Sequence, residues 1–356
     1  MKYKWLLVLV ILVLIFTACT TAQETTAPAE EAAPVEEAAP EEAAVEMPAA
    51  VMVASGALGD SGIFDSGNEG LKRAAADLGV ETKVLEGQQD PSLYYDLLKS
   101  AAEGYEIVFV NPGYQFTNEL TDLAPEYPET CFFYVDGVSD VEGPNISSIK
   151  YRENEGSYAA GLMAATMTTR TEIEGINEDK VVGIVGALDI PTINNFIAGF
   201  KQGAASVDPE VEVKVLYAGA FDDPAKGKEL ALSLYEQGAD IVYNVAANTG
   251  LGVLQAAEEA GLYAIGVDVN QDDYHTGHVM GSMLKQVDNS FYDVIEQAIE
   301  GTLICGEVNY FGIAEKGVGM TYSDTMLSIV PEDVIAAMKA ADEAIASGKI
   351  VVDEVK

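Results

Sequence analysis

From residue 50 onward the chain alternates short, β-rich apolar runs with amphipathic helical runs, and it completes that rhythm twice. Ala50–Gly56 is apolar and ends in small residues; a helix follows with Leu71, Ala74, Ala75 and Leu78 on one face and Gly79 as its stop. Glu81–Leu85, Ile107–Val110 and Cys131–Asp136 are strand-like, separated by helical Pro91–Glu103 and Phe116–Ala124. The pattern restarts after residue 150. Helices are predicted over Asn154–Arg170, from Pro191 through Phe200, from Asp223 to Gly238, and over Gly250–Ala260. Strands are predicted at Val181–Val185, Val211–Tyr217, Ile241–Val245 and Tyr263–Val267. Such alternation specifies βαβ units around parallel sheets, and two sets of similar length specify two doubly wound α/β lobes. The last stretch breaks the rhythm with a strand at Val279–Val287, a helix at Phe291–Glu300, a strand at Val308–Ile313 and a helix at Pro331–Ser347. These elements return the chain to each lobe across a multi-strand hinge. The expected division is 50–150 plus about 272–306 for the first lobe, and 151–271 plus about 307–356 for the second. Ligands of such folds bind between the lobes, at the carboxyl ends of the strands.

The first fifty residues are of another kind. Lys2 and Lys4 precede an apolar run from Trp5 to Phe16. Twelve residues rise only ~18 Å as a helix, short of the ~30 Å hydrocarbon core, so the run is an export signal rather than a span. It ends Phe16-Thr17-Ala18-Cys19, which resembles the lipobox of bacterial lipoproteins and implies a signal over 1–19 with Cys19 lipidated. An ordinary signal peptide with an incidental cysteine is the alternative. Residues 20–49 hold eight glutamates, no basic residue, and prolines at 28, 34, 40 and 48. That composition makes a disordered acidic tether, which suits a domain held off a membrane surface.

Charge narrows the partners further. Lys and Arg number 19 and Asp and Glu 58, so the net charge is 19 − 58 = −39. A phosphate backbone needs the opposite sign, which excludes nucleic acid. Three cysteines and two histidines leave little material for a disulfide scaffold or a Cys/His metal cluster. His275 and His278, near Asp272 and Asp273, fit an exposed polar loop better than a metal site. Cys131 and Cys305 can pair outside the cytoplasm, or Cys131 can stay a buried thiol. No Gly-x-Ser-x-Gly elbow and no Walker loop is present.

Six ordered phrases carry a resemblance. They are Gly183-Ile-Val-Gly186 with Ile190-Pro191-Thr192-Ile193 and Phe196-Ile-Ala-Gly-Phe-Lys-Gln-Gly203; Phe221-Asp-Asp-Pro-Ala-Lys-Gly-Lys-Glu229; Gly238-Ala-Asp-Ile-Val242; Thr249-Gly-Leu-Gly252; Ala264-Ile-Gly-Val-Asp268 with Gln271; and Ser282-Met-Leu-Lys285. Together, over 50–350, they resemble the basic membrane protein family of bacterial lipoproteins, also called the purine nucleoside receptor family. The resemblance implies a type I periplasmic-binding-protein fold and a non-catalytic protein that delivers a nucleoside to an ABC importer. It implies a base held between aromatic rings, one of them Phe221, with Asp136 and the Asp268–Lys285 pair on the polar edges and Thr249-Gly250 touching the ligand. It implies no cofactor, and a monomer whose partners are a small-molecule ligand, an ABC permease and the membrane under its lipid. The first loop departs from the family. Where members often read Asp-Lys-Ser-Phe-Asn, this chain reads Asp60-Ser-Gly-Ile63-Phe64-Asp65, so the stacking ring falls on Ile63 with Phe64 one place late. An aspartate carried by some members six residues before Asp60 falls on Ala54. A distant relative is a riboflavin receptor, so a flavin or another flat heterocycle is the alternative ligand.

The residues speak for themselves as well. Asp136 and Asp268 directly follow apolar strands, where carboxylates face the crevice and suit hydroxyl donors; the plain alternative is an aspartate capping the next helix. Lys285 lies in an apolar strand and needs a partner, for which Asp268 is the natural candidate, unless it edges the sheet toward water. Phe221 stands in a loop, as stacking surface or as a staple on the helix that follows. Phe64 divides between stacking and core, and Tyr114 is better placed for turn packing. Competing readings are an exported enzyme such as a nucleoside hydrolase, and a surface sensor or adhesin on the same fold.

Overall fold

The computed structural model describes residues 47–355. The expected signal, Cys19 and nearly all of the tether lie outside the described residues. The first lobe is laid down as β1 (Ala50–Ala54), α1 (Ile63–Leu78), β2 (Thr82–Glu86), α2 (Tyr94–Gly104), β3 (Ile107–Asn111), α3 (Thr117–Leu123), β4 (Cys131–Val135) and β5 (Ile146–Tyr151). The second follows as α4 (Glu153–Thr168), β6 (Val181–Gly186), α5 (Pro191–Val207), β7 (Glu212–Tyr217), α6 (Pro224–Glu236), β8 (Ala239–Val245), α7 (Leu251–Ala260), β9 (Tyr263–Asp268) and β10 (Val279–Lys285). The chain then returns through α8 (Val287–Ile299) and β11 (Val308–Phe311), and finishes with β12 (Val318–Met320), α9 (Asp324–Ile329) and α10 (Glu332–Ala346).

Two six-stranded sheets result, ordered β11-β5-β4-β3-β1-β2 and β12-β10-β9-β8-β6-β7. Every pairing is parallel except β10 with β12. The central strands β1, β3, β4, β6 and β8 are buried along their whole length, because helices cover both faces. Helix faces obey the sequence periodicity. Leu71 and Ala74 turn inward from α1, which ends on left-handed Gly79 (φ 75°). Ile193, Phe196, Ile197 and Phe200 turn inward from α5, with Pro191 at its first position. Helices α4 and α5 pack backbone to backbone. A Cβ at Gly199 or Gly203 would collide with the carbonyl oxygens of Asn154 and Tyr158.

The two return strands attach opposite to expectation, whereas the return helices α8 and α10 join the lobes expected of them. β10 pairs with β9 in the second sheet, and β11 pairs with β5 in the first. Helix α8 belongs to the first lobe, where Phe291 stacks on Phe109 with ring centroids 3.8 Å apart. The first lobe is therefore 50–151 with 286–311, and the second 152–285 with 312–355. Periodicity locates elements but carries no signal for which sheet a returning strand joins. Strand β5 also went unanticipated. Its Ser147, Ser148 and Lys150 interrupt any apolar run, yet all are buried, with Ser147 Oγ accepting from Gly306 N at 2.9 Å. Cys131 and Cys305 form a disulfide, Cα atoms 5.9 Å apart, joining the start of β4 to the segment that leads into β11.

Three crossings make the hinge: Arg152, Gln286 and 312–317. They are bonded to one another. Arg152 N donates to Phe311 O (3.1 Å), Gln286 N to Gly317 O (2.8 Å), and Ile313 N to Glu155 Oε2 (2.9 Å).

Candidate functional site

A cavity of about 420 Å³ lies where the carboxyl ends of both sheets meet, within the range of small-molecule sites. Its polar wall comes from three strand ends. Asp136 follows β4 and Asp268 ends β9, both with left-handed backbones (φ 69° and 66°) and both buried. Lys285 ends β10 and is 2 % exposed. Its Nζ donates to Asp136 Oδ1 at 2.6 Å and stands 3.2 Å from Glu153 Oε1. The expected direct Asp268–Lys285 pair is therefore corrected. Lys285 leads into the crossing back to the first lobe, so its amine meets the end of β4 and the start of α4 rather than its sheet neighbour β9. Asp268 accepts no hydrogen bond from the described residues, and its carboxylate faces the cavity with its valences open.

Burial pushes the Asp268 carboxyl up to about 7; nearby Lys285 pulls it back, while Asp136, Asp60 and Glu153 push it further. Burial would lower Lys285, but the carboxylates of Asp136, Glu153 and Asp268 outweigh it and hold the ammonium above the ordinary lysine range.

The loop from β1 to α1 forms the first-lobe rim. Asp60 Oδ1 accepts from Gly62 N (3.0 Å) and Asp65 N (3.1 Å), and its Oδ2 accepts from Phe64 N (3.2 Å), so it caps the first turn of α1. Burial raises its pKa against those three donors. Asp65 in turn holds Gly59 N and Ser61 N at 2.7 and 2.9 Å. The splinted tip reaches the second lobe, where Gln271 Nε2 donates to Ser61 O at 3.4 Å and Tyr274 OH to Ser61 Oγ at 3.3 Å.

Aromatic rings line the cavity from both lobes: Phe64 and Tyr114 from the first, Phe196 and Phe221 from the second. Tyr114 lines the cavity and is 40 % exposed, which corrects the expectation of turn packing. The spacing of Phe196 with Ile193, Ile197 and Phe200 is that of a core-facing helix stripe. Phe196 serves as core and cavity wall together, with Lys285 Nζ 5.0 Å from its ring centre.

Thr249 and Gly250, expected to touch the ligand, do not line the cavity. Thr249 is fully buried. Its Oγ1 donates to Ala220 O (3.0 Å) and accepts from Asp223 N (2.8 Å), and its own N–H donates to Phe221 O (3.0 Å). It fixes the loop that presents Phe221. Gly250 lies against the Asn244 side chain. The turn meets the cavity through Ala246, Ala247 and Asn248, one step earlier in the chain. His275 and His278 are engaged with Glu258 and the Leu262 carbonyl. Sequence reasoning also missed Ser55, Gln115 and Glu153. The acidic residue opening a helix was the one signal available for Glu153.

Comparison with known proteins agrees with this architecture. The family model described as "ABC transporter substrate-binding protein PnrA-like" matches residues 47–355. An uncharacterized lipoprotein of Pyrococcus horikoshii is 30 % identical over 275 residues, covering 74 % of this chain and 66 % of its own. The ABC transporter nucleoside-binding protein BmpA of Lactococcus lactis is 28 % identical over 267 residues, covering 70 % and 72 %. Among solved structures, an ABC transporter solute-binding protein of Aeropyrum pernix superposes with a TM-score of 0.74 at 25 % identity, over 87 % of this chain and 94 % of that one. Two parallel-sheet lobes with a crevice between them are the type I periplasmic solute-binding fold, as expected. The chain belongs to the PnrA-like family of ABC transporter substrate-binding proteins.

Proposed function

We propose that the protein captures an unphosphorylated nucleoside, a purine nucleoside by preference, between its lobes and delivers it to an ABC permease while anchored through a lipid on Cys19. The observation that carries this reading is the open carboxylate of Asp268 beside the Asp136–Lys285 pair, within a cavity walled by aromatic rings. Paired hydroxyls of a ribose are donors that match such acceptors, and a flat base matches the rings. The lining carboxylates of Asp60, Asp136, Asp222 and Asp268 against Lys285 oppose a phosphate. The Lactococcus relative, named as a nucleoside-binding protein, and the Pyrococcus relative, named as a lipoprotein, support the two halves of the reading.

Calorimetry with adenosine, guanosine, inosine, inosine 5′-monophosphate and riboflavin tests it. Binding of at least one nucleoside, and rejection of the monophosphate, is expected. Riboflavin binding with no nucleoside binding would sink the nucleoside half. For the anchor, Cys19→Ser should release the protein from membranes into soluble fractions.

A further inference from the structure

Glu153 opens α4 immediately after the Arg152 crossing, and none of its surface reaches solvent (0 % exposed). It does not line the cavity. Its two oxygens face two lysines. Oε2 accepts from Lys150 Nζ at 3.3 Å, and Oε1 stands 3.2 Å from Lys285 Nζ in an ion pair without hydrogen-bond alignment. A carboxylate taken wholly out of water is costly unless charges pair with it, and here two ammonium groups and the amino end of a helix do so. Lys285 is thus gripped from two sides, by Asp136 on the cavity wall and by Glu153 behind it. Among the described residues only one of its three N–H groups is hydrogen-bonded, to Asp136, so others remain for a ligand. The Glu153–Lys285 pair also spans two of the three crossings, since Glu153 follows Arg152 and Lys285 precedes Gln286.

We propose that Glu153 is a positioning residue for the ligand site: from outside the cavity it holds the Lys285 ammonium in register with the cavity wall and ties that placement to the hinge. The inference rests on the cavity being the ligand site. A lysine carries four methylenes and adopts many rotamers, so a single partner on the cavity side would leave its ammonium to collapse onto Asp136 and Asp268. A second carboxylate behind it removes that freedom. The seat of α4 against α5 keeps Glu153 itself from moving, because the contact is made by backbone at Gly199 and Gly203. The charged or titratable groups around the pair are Lys150 and Tyr151 on β5, Asp136 after β4, Tyr243 on β8, Asp268 on β9 and Tyr114 on the cavity wall.

The test joins a ligand-free readout to a binding one. In protein labelled with ¹³C at lysine Cε, the Lys285 resonance is assigned by its loss in Lys285→Met. In Glu153→Gln that resonance, recorded without ligand at about pH 7, should shift and broaden as the ammonium loses its second anchor, and the inosine Kd should rise at least tenfold. Glu153→Asp keeps the charge but withdraws it by one methylene. It should keep most of the wild-type resonance position and still lose severalfold in inosine affinity. An unchanged Lys285 resonance in folded Glu153→Gln overturns the proposal, as does a shifted resonance with unchanged affinity. If the Gln variant does not fold, full inosine affinity in Glu153→Asp overturns it. Failure of wild type to bind inosine counts against the nucleoside reading alone, because the resonance is recorded without ligand.

Discussion

Asp136 and Asp268 hold matching places in the two lobes. One follows the strand between β3 and β5, the other ends the strand between β8 and β10, and both adopt a left-handed backbone. A residue other than glycine in that conformation costs on the order of 1–3 kcal/mol, with Asp and Asn the most tolerant. Two such positions at equivalent strand ends aim two carboxylates into one cavity. Their roles nonetheless differ. Asp136 neutralises Lys285, whereas Asp268 accepts nothing from the described residues. Asp268→Asn keeps the backbone and should weaken nucleoside binding roughly tenfold to a hundredfold, the worth of a charge-assisted hydrogen bond at about 1.5–3 kcal/mol. Its melting temperature at pH 8 should hold or rise. Asp136→Asn takes one of two carboxylates from a buried lysine, leaving only Glu153 against it, and should lose stability by up to about 3–5 kcal/mol. Equal thermal shifts in the two variants would contradict this division.

Acidity should separate folding from binding at Asp268. Its folded pKa, raised to about 7, exceeds the ordinary 3.8, so the native state holds more protons than the unfolded state between those values. The contribution of this group to stability is therefore full below about pH 4 and is lost as pH rises toward 7. The full loss is on the order of 4 kcal/mol. Hydroxyl donors favour the ionised form, so binding expels a proton. Apparent affinity should fall by up to tenfold per pH unit below about 7 and level off above it. Asp268→Asn should flatten both profiles, measured as differences from wild type so that other groups cancel.

Thr249 offers a test of indirect placement. Thr249→Val preserves shape and removes the hydroxyl that holds Ala220 O and Asp223 N. Each buried group left unpaired costs about 1–3 kcal/mol. Stability should fall by that order, and affinity should fall with it because Phe221 loses its anchor. The added defect of Thr249→Val should shrink in a Phe221→Ala background. Independent effects would show that Thr249 serves the fold alone.

Legibility in the sequence followed the physics of each signal. Strand ends are marked by an apolar run meeting a charge, so Asp136 and Asp268 could be found. A lysine inside an apolar strand is conspicuous, so Lys285 could be found, though not its partners. Partner choice depends on which sheet β10 joins, and no local pattern encodes that. Thr249-Gly250 stood out through the family resemblance, which puts a ligand-touching helix start there. The same residues serve a loop anchor equally well. Phe196 was hidden by its own regular spacing, since a ring at the amino end of a helix can be core on one side and cavity wall on the other.

The disulfide should matter to folding but not to binding. Cys131 begins β4 and Asp136 follows its end, so at ~3.3 Å per residue the bridge lies about 17 Å from the cavity. A crosslink between residues 174 apart constrains the unfolded chain strongly. Replacing both cysteines with serine should cost about 2–5 kcal/mol. Nucleoside affinity measured well below the melting temperature should be unchanged.

The rings divide the labour of recognition according to burial. Phe221 is loop-borne and lines the cavity, so Phe221→Ala should cost about tenfold or more in affinity, from base–aromatic stacking at about 1–3 kcal/mol. The loss should be similar for adenosine, guanosine and inosine, since a π-face does not tell them apart. On the facing side Phe64 is 7 % exposed and within the core, whereas Tyr114 is 40 % exposed. Truncating Phe64 removes packed volume and should lower the melting temperature along with affinity, by a core cost of about 3–5 kcal/mol. Truncating Tyr114 removes a surface that solvent already reaches and should lower affinity with little thermal effect. The two melting curves, set beside the two affinities, decide which ring is the second wall. A Tyr114→Ala variant that binds as wild type does would leave Phe64 to face Phe221, and would make the first-lobe wall part of the core.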